Sequence, residues 1–495
     1  MELKYSENEL NIRCEAIESQ ILMQGNVPVL DGKSARSLLL AKPYAEIISV
    51  DVMRDRILME GNLSIDAVCT TPSGEVFSFT SSAPFKHRID IEASDRKLRG
   101  EADVSIQTLN IRPEGMSLSL EAALDVSVSL FDELPLSTLY SVEGIDDAEF
   151  DFKNLSISKK IKVGGGRLRL REITSTEGIS AVFYTEGCAI VTGVRLDPGE
   201  NEAVVSGTIT ASALCMDSTG QLSEQVRQVA FEESLPIAAN AHEPLYAIAR
   251  IESISLRPAA ELISNGAVEA LLCIDIFELK TESISLPVDF FSPGGNISAI
   301  SRNITIQDPG MPIFSTQTIR ETISLPEGMP EIEHPIYTQA RPIVTLSESD
   351  SGITRIEGIF ITRVIYRTET GMLYAFDEDV PFSISVNTPS CDCDMAAVPC
   401  VIAVIAPASA TSVDITYTVE LMLKPICEET IHVVTGISEC ECKDRPLGVL
   451  IYFAESGDTL FSIAKKLLVS TASLKAVNSS LPEVMQGGER IVVMI

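Results

Sequence analysis

Residues 203–215 read AVVSGTITASALC, and the chain repeats this pattern twice: residues 57–69 read ILMEGNLSIDAVC and residues 355–366 read RIEGIFITRVIY. Each stretch carries a glycine inside an alternating apolar run, and a second glycine follows thirteen positions later. Self-similarity at a fixed spacing indicates a repeated structural unit. The glycine pairs are Gly61 and Gly74, Gly207 and Gly220, and Gly358 and Gly371.

Each repeat then reaches a proline that precedes a second apolar run: Pro113, Pro258 and Pro407. In the first repeat, residues 116–130 place apolar side chains at every even position. Period two over fifteen residues predicts a β-strand, whose length of about 50 Å favours a bend, a bulge or more than one partner strand.

The two glycines of each repeat predict different local structures. A glycine inside a strand usually marks a bulge or a close backbone approach, which we expect for the first of each pair. The second follows turn-forming residues, as in Asp217-Ser218-Thr219-Gly220, and predicts a hairpin turn with positive φ. Each block between paired glycines therefore predicts one strand and its hairpin.

These patterns predict a mainly β fold. We expect three related all-β domains at residues 1–148, 149–296 and 297–440, joined by segments such as Gly164-Gly165-Gly166 and Ser292-Pro293-Gly294-Gly295. Residues 447–495 form a fourth, different domain. No helical periodicity precedes residue 458.

The charge balance excludes several classes of partner. Thirty-eight Lys and Arg oppose seventy Asp and Glu, so the formal net charge is −32. Such a field repels phosphate backbones and anionic lipid heads, and we expect no nucleic-acid partner. No uncharged apolar stretch is long enough for a spanning helix, so we expect no membrane insertion. The first residues lack the pattern of a signal peptide, which predicts a cytoplasmic protein.

The last fifty residues differ from the rest, because their four acidic and four basic side chains cancel. An apolar strand leads to Asp458 and Thr459, either of which can cap a helix whose apolar face repeats at i, i+3, i+4 and i+7. A second helix begins after a Ser470 cap, and an apolar strand closes the chain. The predicted order is βααβ.

These C-terminal residues resemble the LysM domain. The matching positions are Tyr452, Gly457-Asp458-Thr459-Leu460, Ile463-Ala464, Val469-Ser470, Leu474, Asn478, Gly487 and Ile491-Val492-Val493. LysM domains bind N-acetylglucosamine-containing glycans in a shallow groove between two loops. The resemblance implies a site for a glycan or a protein partner made of Gly457, Asp458, Thr459, Leu460, Asn478, Ser479, Ser480, Leu481 and Pro482.

Three β repeats ahead of a LysM domain resemble the SPOCS (DUF3794) family of clostridial spore-coat proteins. The residues that carry this resemblance are the paired glycines and the prolines named above. The family implies a morphogenetic adaptor in the mother-cell cytoplasm, at the forespore or spore coat surface. Its implied partners are morphogenetic proteins of the spore envelope, among them an ATPase of the coat basement.

No arrangement of residues predicts catalysis, a cofactor or a metal site. Four scattered histidines show neither a metal-ligand spacing nor a nucleophile motif. Two cysteine clusters leave three alternatives open: a metal or redox site, reduced thiols, and covalent cross-links in a maturing coat. The clusters are Cys391, Cys393 and Cys400, and Cys427, Cys440 and Cys442.

The sequence therefore predicts a non-enzymatic structural and morphogenetic adaptor of the bacterial spore envelope. Its β domains and its LysM domain would bind coat-assembly proteins. The alternative is a cell-wall anchoring protein that binds peptidoglycan through its LysM domain.

Overall fold

The computed structural model describes residues 2–29, 32–145, 148–176, 178–197, 201–259, 266–294, 296–389, 393–440, 448–478 and 481–494. The described chain consists of β-strands with two short helices near its C-terminal end, which confirms the predicted mainly β class. The strands before the helices form three sets with the same order of pairing, named units 1, 2 and 3 below.

Unit 1 is a sandwich of two antiparallel three-stranded layers, ordered β3-β4-β5 and β2-β7-β6, with the short pair β1-β8 at one end. The alternating run predicted at residues 116–130 is β7, which pairs with both β2 and β6. Its inward side chains fill the core between the layers. The strands are β1 (Glu2–Asn8), β2 (Ile12–Pro28), β3 (Ser37–Val52), β4 (Arg56–Thr70), β5 (Val76–Asp90), β6 (Leu98–Glu114), β7 (Ser117–Asp132) and β8 (Leu136–Glu143).

Units 2 and 3 repeat this arrangement, and four of their strands, β9, β10, β14 and β21, are longer than any strand of unit 1. In unit 2 the layers are β10-β11-β12 and β9-β14-β13, and in unit 3 they are β17-β18-β19 and β16-β21-β20. The strands of unit 2 are β9 (Glu149–Thr174), β10 (Ile179–Asp197), β11 (Glu202–Asp217), β12 (Leu222–Pro236), β13 (Leu245–Arg257) and β14 (Gly266–Phe291). Those of unit 3 are β15 (Ile297–Pro309), β16 (Ile313–Ser324), β17 (His334–Asp350), β18 (Ile353–Arg367), β19 (Leu373–Asn387), β20 (Asp394–Ser409) and β21 (Ser412–Glu439).

The first glycine of each pair occupies the same place in its unit, on the central strand of a three-stranded layer. Gly61, Gly207 and Gly358 each lie opposite a bulge in the preceding strand and opposite a phenylalanine in the following strand. A Cβ at any of them would overlap a carbonyl oxygen of one neighbour and the phenylalanine ring of the other. The ring covers the backbone, and only glycine leaves room for it.

The second glycines lie in the hairpin turns that follow. Gly74, Gly220 and Gly371 have φ of 87°, 82° and 77°, as predicted. Each proline precedes the strand of the second run, as expected, and belongs to the end of the strand before it or to the connection. Pro113 lies near the end of β6, and Pro258 directly follows β13.

The expectation that Gly164-Gly165-Gly166 is a linker is wrong. These residues lie inside β9 and pair with Ile276, Asp275 and Ile274 of β14. A Cβ at Gly164 would overlap the Pro236 carbonyl, and one at Gly165 would overlap the Ile274 carbonyl. The glycines allow neighbouring backbones to approach closely within a continuous strand. The run from Ser292 to Gly294 does connect two strands, β14 and β15, as predicted.

The first and last strands of each unit pair with each other and extend beyond the sandwich. The extensions are β1 with β8, the start of β9 with the end of β14, and β15 with the end of β21. Their apolar faces meet in one shared cluster that contains side chains of all three units. This second core joins the units at one end of the molecule.

Equivalent residues of the three units also meet at a common centre. The residues bulged out of β3, β10 and β17 are Leu39, Phe183 and Ile336, and all three belong to a single apolar cluster. Three positions further along each strand lie Lys42, Glu186 and Gln339. The units therefore surround a centre that is apolar on one side and polar on the other.

On the polar side, several groups bond to the buried carboxylate of Glu186. It accepts hydrogen bonds from Tyr184 Oη at 3.0 Å and Tyr337 Oη at 3.2 Å, and Lys42 Nζ lies at 3.1 Å. Gln339 Nε2 contacts the same carboxylate at 3.5 Å and donates to Tyr184 Oη at 2.9 Å. Each unit contributes at least one of these groups.

A second carboxyl, Glu224 of β12, lies beside this cluster. Ser212 Oγ donates to it at 2.8 Å, and the Ile405 backbone N–H of unit 3 lies at 3.5 Å. The pKa of Glu224 is raised to about 8, mainly by burial; the two hydrogen bonds oppose the rise and the charge of Glu186 adds to it. Near neutral pH the Glu224 carboxyl is therefore mostly protonated.

Two disulfides add covalent links. Cys188 of β10 joins Cys400 of β20, and so ties unit 2 to unit 3 across 212 residues of sequence. Cys393 joins Cys427 and ties β20 to β21 within unit 3.

The C-terminal unit consists of β22 (Val449–Phe453), α1 (Leu460–Leu467), α2 (Thr471–Val477) and β23 (Arg490–Met494). The two strands form an antiparallel pair, and both helices pack on one face of it. Among the described residues, no helix has the length and apolar character needed to cross a membrane.

The covered glycines generate the first prediction. Gly358→Ala should destabilise unit 3 by about 1–3 kcal/mol, because the added methyl group overlaps the Ile343 carbonyl and the Phe382 ring. Gly25→Ala is the matched control, since a Cβ there meets nothing within 4 Å. Thermal unfolding followed by circular dichroism checks this. Equal melting temperatures for the two variants would contradict the role of the glycine.

The second prediction concerns pH. The Glu224 carboxyl is protonated in the folded chain up to about pH 8 but ionises in the unfolded chain above about pH 4.5. Its contribution to stability is therefore complete below pH 4.5 and is lost as pH rises towards 8, by at most about 1.4 kcal/mol per pH unit. Glu224→Gln should remove this part of the pH dependence, whereas exposed Glu233→Gln should not. Denaturant unfolding between pH 5 and pH 9 measures it.

Candidate binding groove of the C-terminal unit

The two loops that the LysM resemblance assigns to the groove are joined by backbone hydrogen bonds. The Gly457 N–H donates to the Met485 carbonyl at 2.9 Å, and the Met485 N–H donates to the Asp458 carbonyl at 2.7 Å. Thr459 and Val484 form an isolated β-bridge beside them. These bonds fix the positions of both loops but use backbone groups that a ligand would otherwise meet.

Asp458 holds the first loop in place. Its carboxylate accepts hydrogen bonds from the Glu455 N–H and from Tyr452 Oη, both at 3.0 Å. The Glu455 N–H is the main cause that lowers the pKa of Asp458, with Tyr452 and the charge of Lys466 adding to it. Asp458 is therefore an ionised structural acceptor within the loop.

Thr459, rather than Asp458, caps the first helix. Thr459 Oγ1 accepts a hydrogen bond from the Ser462 N–H at 3.0 Å, and Ser462 Oγ accepts one from the Thr459 N–H at 2.9 Å. This reciprocal capping box satisfies two backbone donors. Ser470 caps the second helix, as predicted.

Asn478 clamps the end of the second helix to the last strand. Its Nδ2 donates to the Leu474 carbonyl at 2.9 Å and the Val492 carbonyl at 2.7 Å, while its Oδ1 accepts from the Val492 N–H at 2.9 Å. All of these partners lie inside the unit, so the side chain has a structural function that the sequence pattern did not reveal.

The remaining predicted site residues give the groove an apolar character. Leu460 and Leu481 are half-buried and pack against the core of the C-terminal unit. Gly457 and Pro482 are exposed, and Glu483 is exposed beside Pro482. Ser479 and Ser480, which complete the predicted site, lie outside the described residues.

The helices of the C-terminal unit contact the β body, which sequence analysis missed. The Phe461 ring meets the Phe291 ring edge-on, with centroids 5.1 Å apart. Lys465 Nζ pairs with the Asp289 carboxylate at 2.7 Å, and the Thr471 N–H donates to Glu149 at 2.8 Å.

The sequence does contain one signal for this contact. Phe461 is a large apolar residue that lies outside the stripe of Leu460, Ile463, Ala464 and Leu467 on the first helix. An apolar residue on the polar face of a helix is a candidate for a second packing surface.

The structure narrows the three alternatives for the cysteine clusters. The disulfides rule out reduced thiols at Cys393, Cys400 and Cys427, and Cys400 pairs with Cys188, which belongs to neither sequence cluster. Spacing along the sequence cannot identify a partner 212 residues away. Cys391 and Cys442 lie outside the described residues. In the described part of the chain, no group of three or more His, Cys, Asp and Glu side chains could hold a metal ion.

The third prediction tests the helix cap. Thr459→Ala should weaken α1 by about 1 kcal/mol, because the Ser462 N–H loses its acceptor. Backbone amides of α1 in the full chain should then exchange with deuterium roughly fivefold faster. Ser456→Ala, a change at an exposed serine of the same loop, is the control. Unchanged exchange in Thr459→Ala would refute the capping function.

The same residues were compared with known proteins. No protein-family model, no curated protein and no solved structure matches this chain. The function of the chain therefore has to be inferred from its own residues.

Proposed function

We propose that this chain is a non-enzymatic structural and morphogenetic adaptor of the bacterial spore envelope. In this proposal the three units are related SPOCS-like β domains, and the C-terminal βααβ unit is a LysM domain that binds a coat-assembly protein. The protein is made in the mother-cell cytoplasm and acts at the forespore or spore coat surface.

One observation carries the choice of a protein ligand. The polar side chains of the expected groove, Asp458, Thr459 and Asn478, bond within the C-terminal unit. Of the described site residues, those whose side chains make no such bond are Gly457, Leu460, Leu481 and Pro482, and none of them is polar. Sugar recognition needs well-placed polar groups that converge on hydroxyls and acetamido groups. An apolar surface with a neutral net charge suits a protein partner better.

The β body supports the adaptor function through its sheet edges. In the described chain, β5, β12 and β19 each pair with a single neighbouring strand. An open edge can accept a strand from a partner through backbone hydrogen bonds. The first residues of these three strands, Val76, Leu222 and Leu373, pack in the central apolar cluster, so a partner strand would use the rest of each edge.

The disulfides imply that the folded protein reaches oxidising surroundings. Cytosolic thiols are kept reduced, so bonds such as Cys188–Cys400 persist only where the surroundings are oxidising. A protein that is synthesised in the mother cell and retained in the finished coat meets both situations in turn.

The alternative is a peptidoglycan-binding anchor. It is favoured by the fixed geometry of the two loops, which are held by the Gly457–Met485 and Asp458–Met485 backbone bonds. Such loops could present an N-acetylglucosamine chain with a preformed groove.

The fourth prediction separates the two functions. Titration of the full chain with N-acetylglucosamine oligomers should show binding no tighter than millimolar. Immobilised full chain should capture a coat-assembly protein from extracts of sporulating cells. Leu481→Lys and Pro482→Glu should lose that partner, whereas Ile173→Lys, a change at an exposed residue of the β body, should retain it.

Two results would contradict the adaptor. Micromolar glycan binding, with partner capture unaffected by the Leu481 and Pro482 variants, would favour the peptidoglycan anchor. Loss of capture in Ile173→Lys as well would show that the C-terminal groove is not the contact.

A further inference from the structure

Among the residues that the structure describes, one face of the sheet of the C-terminal unit is largely exposed. Val449, Ile451 and Phe453 lie on one face of β22, opposite Met494, Val492 and Arg490 of β23. The outer face is defined here as these five apolar residues together with Arg490. Exposed fractions are 71% for Val449, 56% for Ile451, 58% for Phe453 and 58% for Met494.

The opposite face of the same sheet packs against the helices, although Leu450 on it keeps 40% of its surface exposed. Ile491 and Val493 are buried against Ile463 and Leu474 of the two helices. Those helices contact the β body through Phe461. The outer face therefore points away from the helices and from their contact with the body. It presents a row of large apolar side chains of a kind that usually marks an interaction site.

The face is also suited to packing against an identical face. Arg490 is its single charged residue, and the guanidinium lies over the Phe453 ring, 5.8 Å from the centroid. No carboxylate lies among the six residues. Two such faces stacked about 10 Å apart would bury apolar side chains against each other and leave Arg490 at the rim.

The distribution of charge also favours self-association through the C-terminal unit. The C-terminal unit carries four acidic and four basic residues, so the whole net charge of −32 belongs to the β body. Two copies that approach through their bodies repel each other. Two copies that approach through their C-terminal units bring neutral surfaces together and keep the acidic bodies apart.

We propose that the outer face of β22 and β23 docks on the same face of a second copy of this chain, forming a two-fold symmetric dimer. Each copy would bury on the order of 500 Å², about 1,000 Å² in total, which lies at the lower end of specific interfaces. The dimer is therefore reversible and depends on concentration. This inference goes beyond the proposed function, since it concerns a different surface from the groove.

The test, which is the fifth prediction, is sedimentation velocity of the full chain from 1 to 200 µM. Wild type should shift from monomer to dimer across this range. Added salt should strengthen the dimer, because it screens the repulsion between the acidic bodies. Ile451→Asp should weaken association at least tenfold, while Tyr44→Asp, a change at a residue of the body that is 61% exposed, should not. Non-reducing gels exclude dimers made by cysteine cross-links.

A charge-swap experiment tests the symmetry. Ile451 lies at the centre of the outer face, so it meets or neighbours its own copy across a two-fold axis. Ile451→Lys and Ile451→Asp should each be monomeric alone and should associate when mixed. Circular dichroism and deuterium exchange of β23 confirm that both variants are folded. A wild type that stays monomeric up to 200 µM, or an Ile451→Asp variant that dimerises as wild type does, overturns the proposal.

Discussion

The relative placement of the three units depends on one buried carboxylate. Glu186 comes from unit 2, but its partners Lys42, Tyr337 and Gln339 come from units 1 and 3. Removing one donor from a buried carboxylate costs about 1–3 kcal/mol, because the acceptor is left buried without its hydrogen bond. The cluster therefore penalises any arrangement in which one unit moves away from the centre. The apolar side chains beside it add cohesion without requiring that geometry.

Much of the architecture is accessible from the sequence because it is local. Alternation identifies the strands, and the turn glycines have the positive φ that their neighbours predict. What the sequence hides is long-range. The pairing of first with last strands joins residues roughly 90–140 positions apart, and the close approach at Gly164 involves Pro236, about seventy positions away. A run of three glycines predicts a linker unless the strand that faces it is known.

The candidate site shows the same division. The capping functions of Thr459 and Ser470 follow from nearby residues and could be predicted. The function of Asn478 could not, since its amide spans from the second helix to the last strand. The contact between Phe461 and Phe291 joins residues 170 positions apart. The only sequence signal for it is that Phe461 is apolar and lies outside the apolar stripe of its helix. In the described part of the chain, the neutral C-terminal unit contacts the acidic body through the packing of Phe291 and through the polar contacts of Lys465 and Thr471.

The link between Cys188 and Cys400 has a consequence for how the molecule withstands proteases. Any single cut in the chain between these two residues leaves both pieces covalently attached to each other. The same cut leaves the contacts around Glu186 available to hold the pieces in register. Units 2 and 3 would thus remain one molecule after a nick in the segments that connect them. A scaffold exposed to proteolysis could lose the continuity of its backbone there without coming apart.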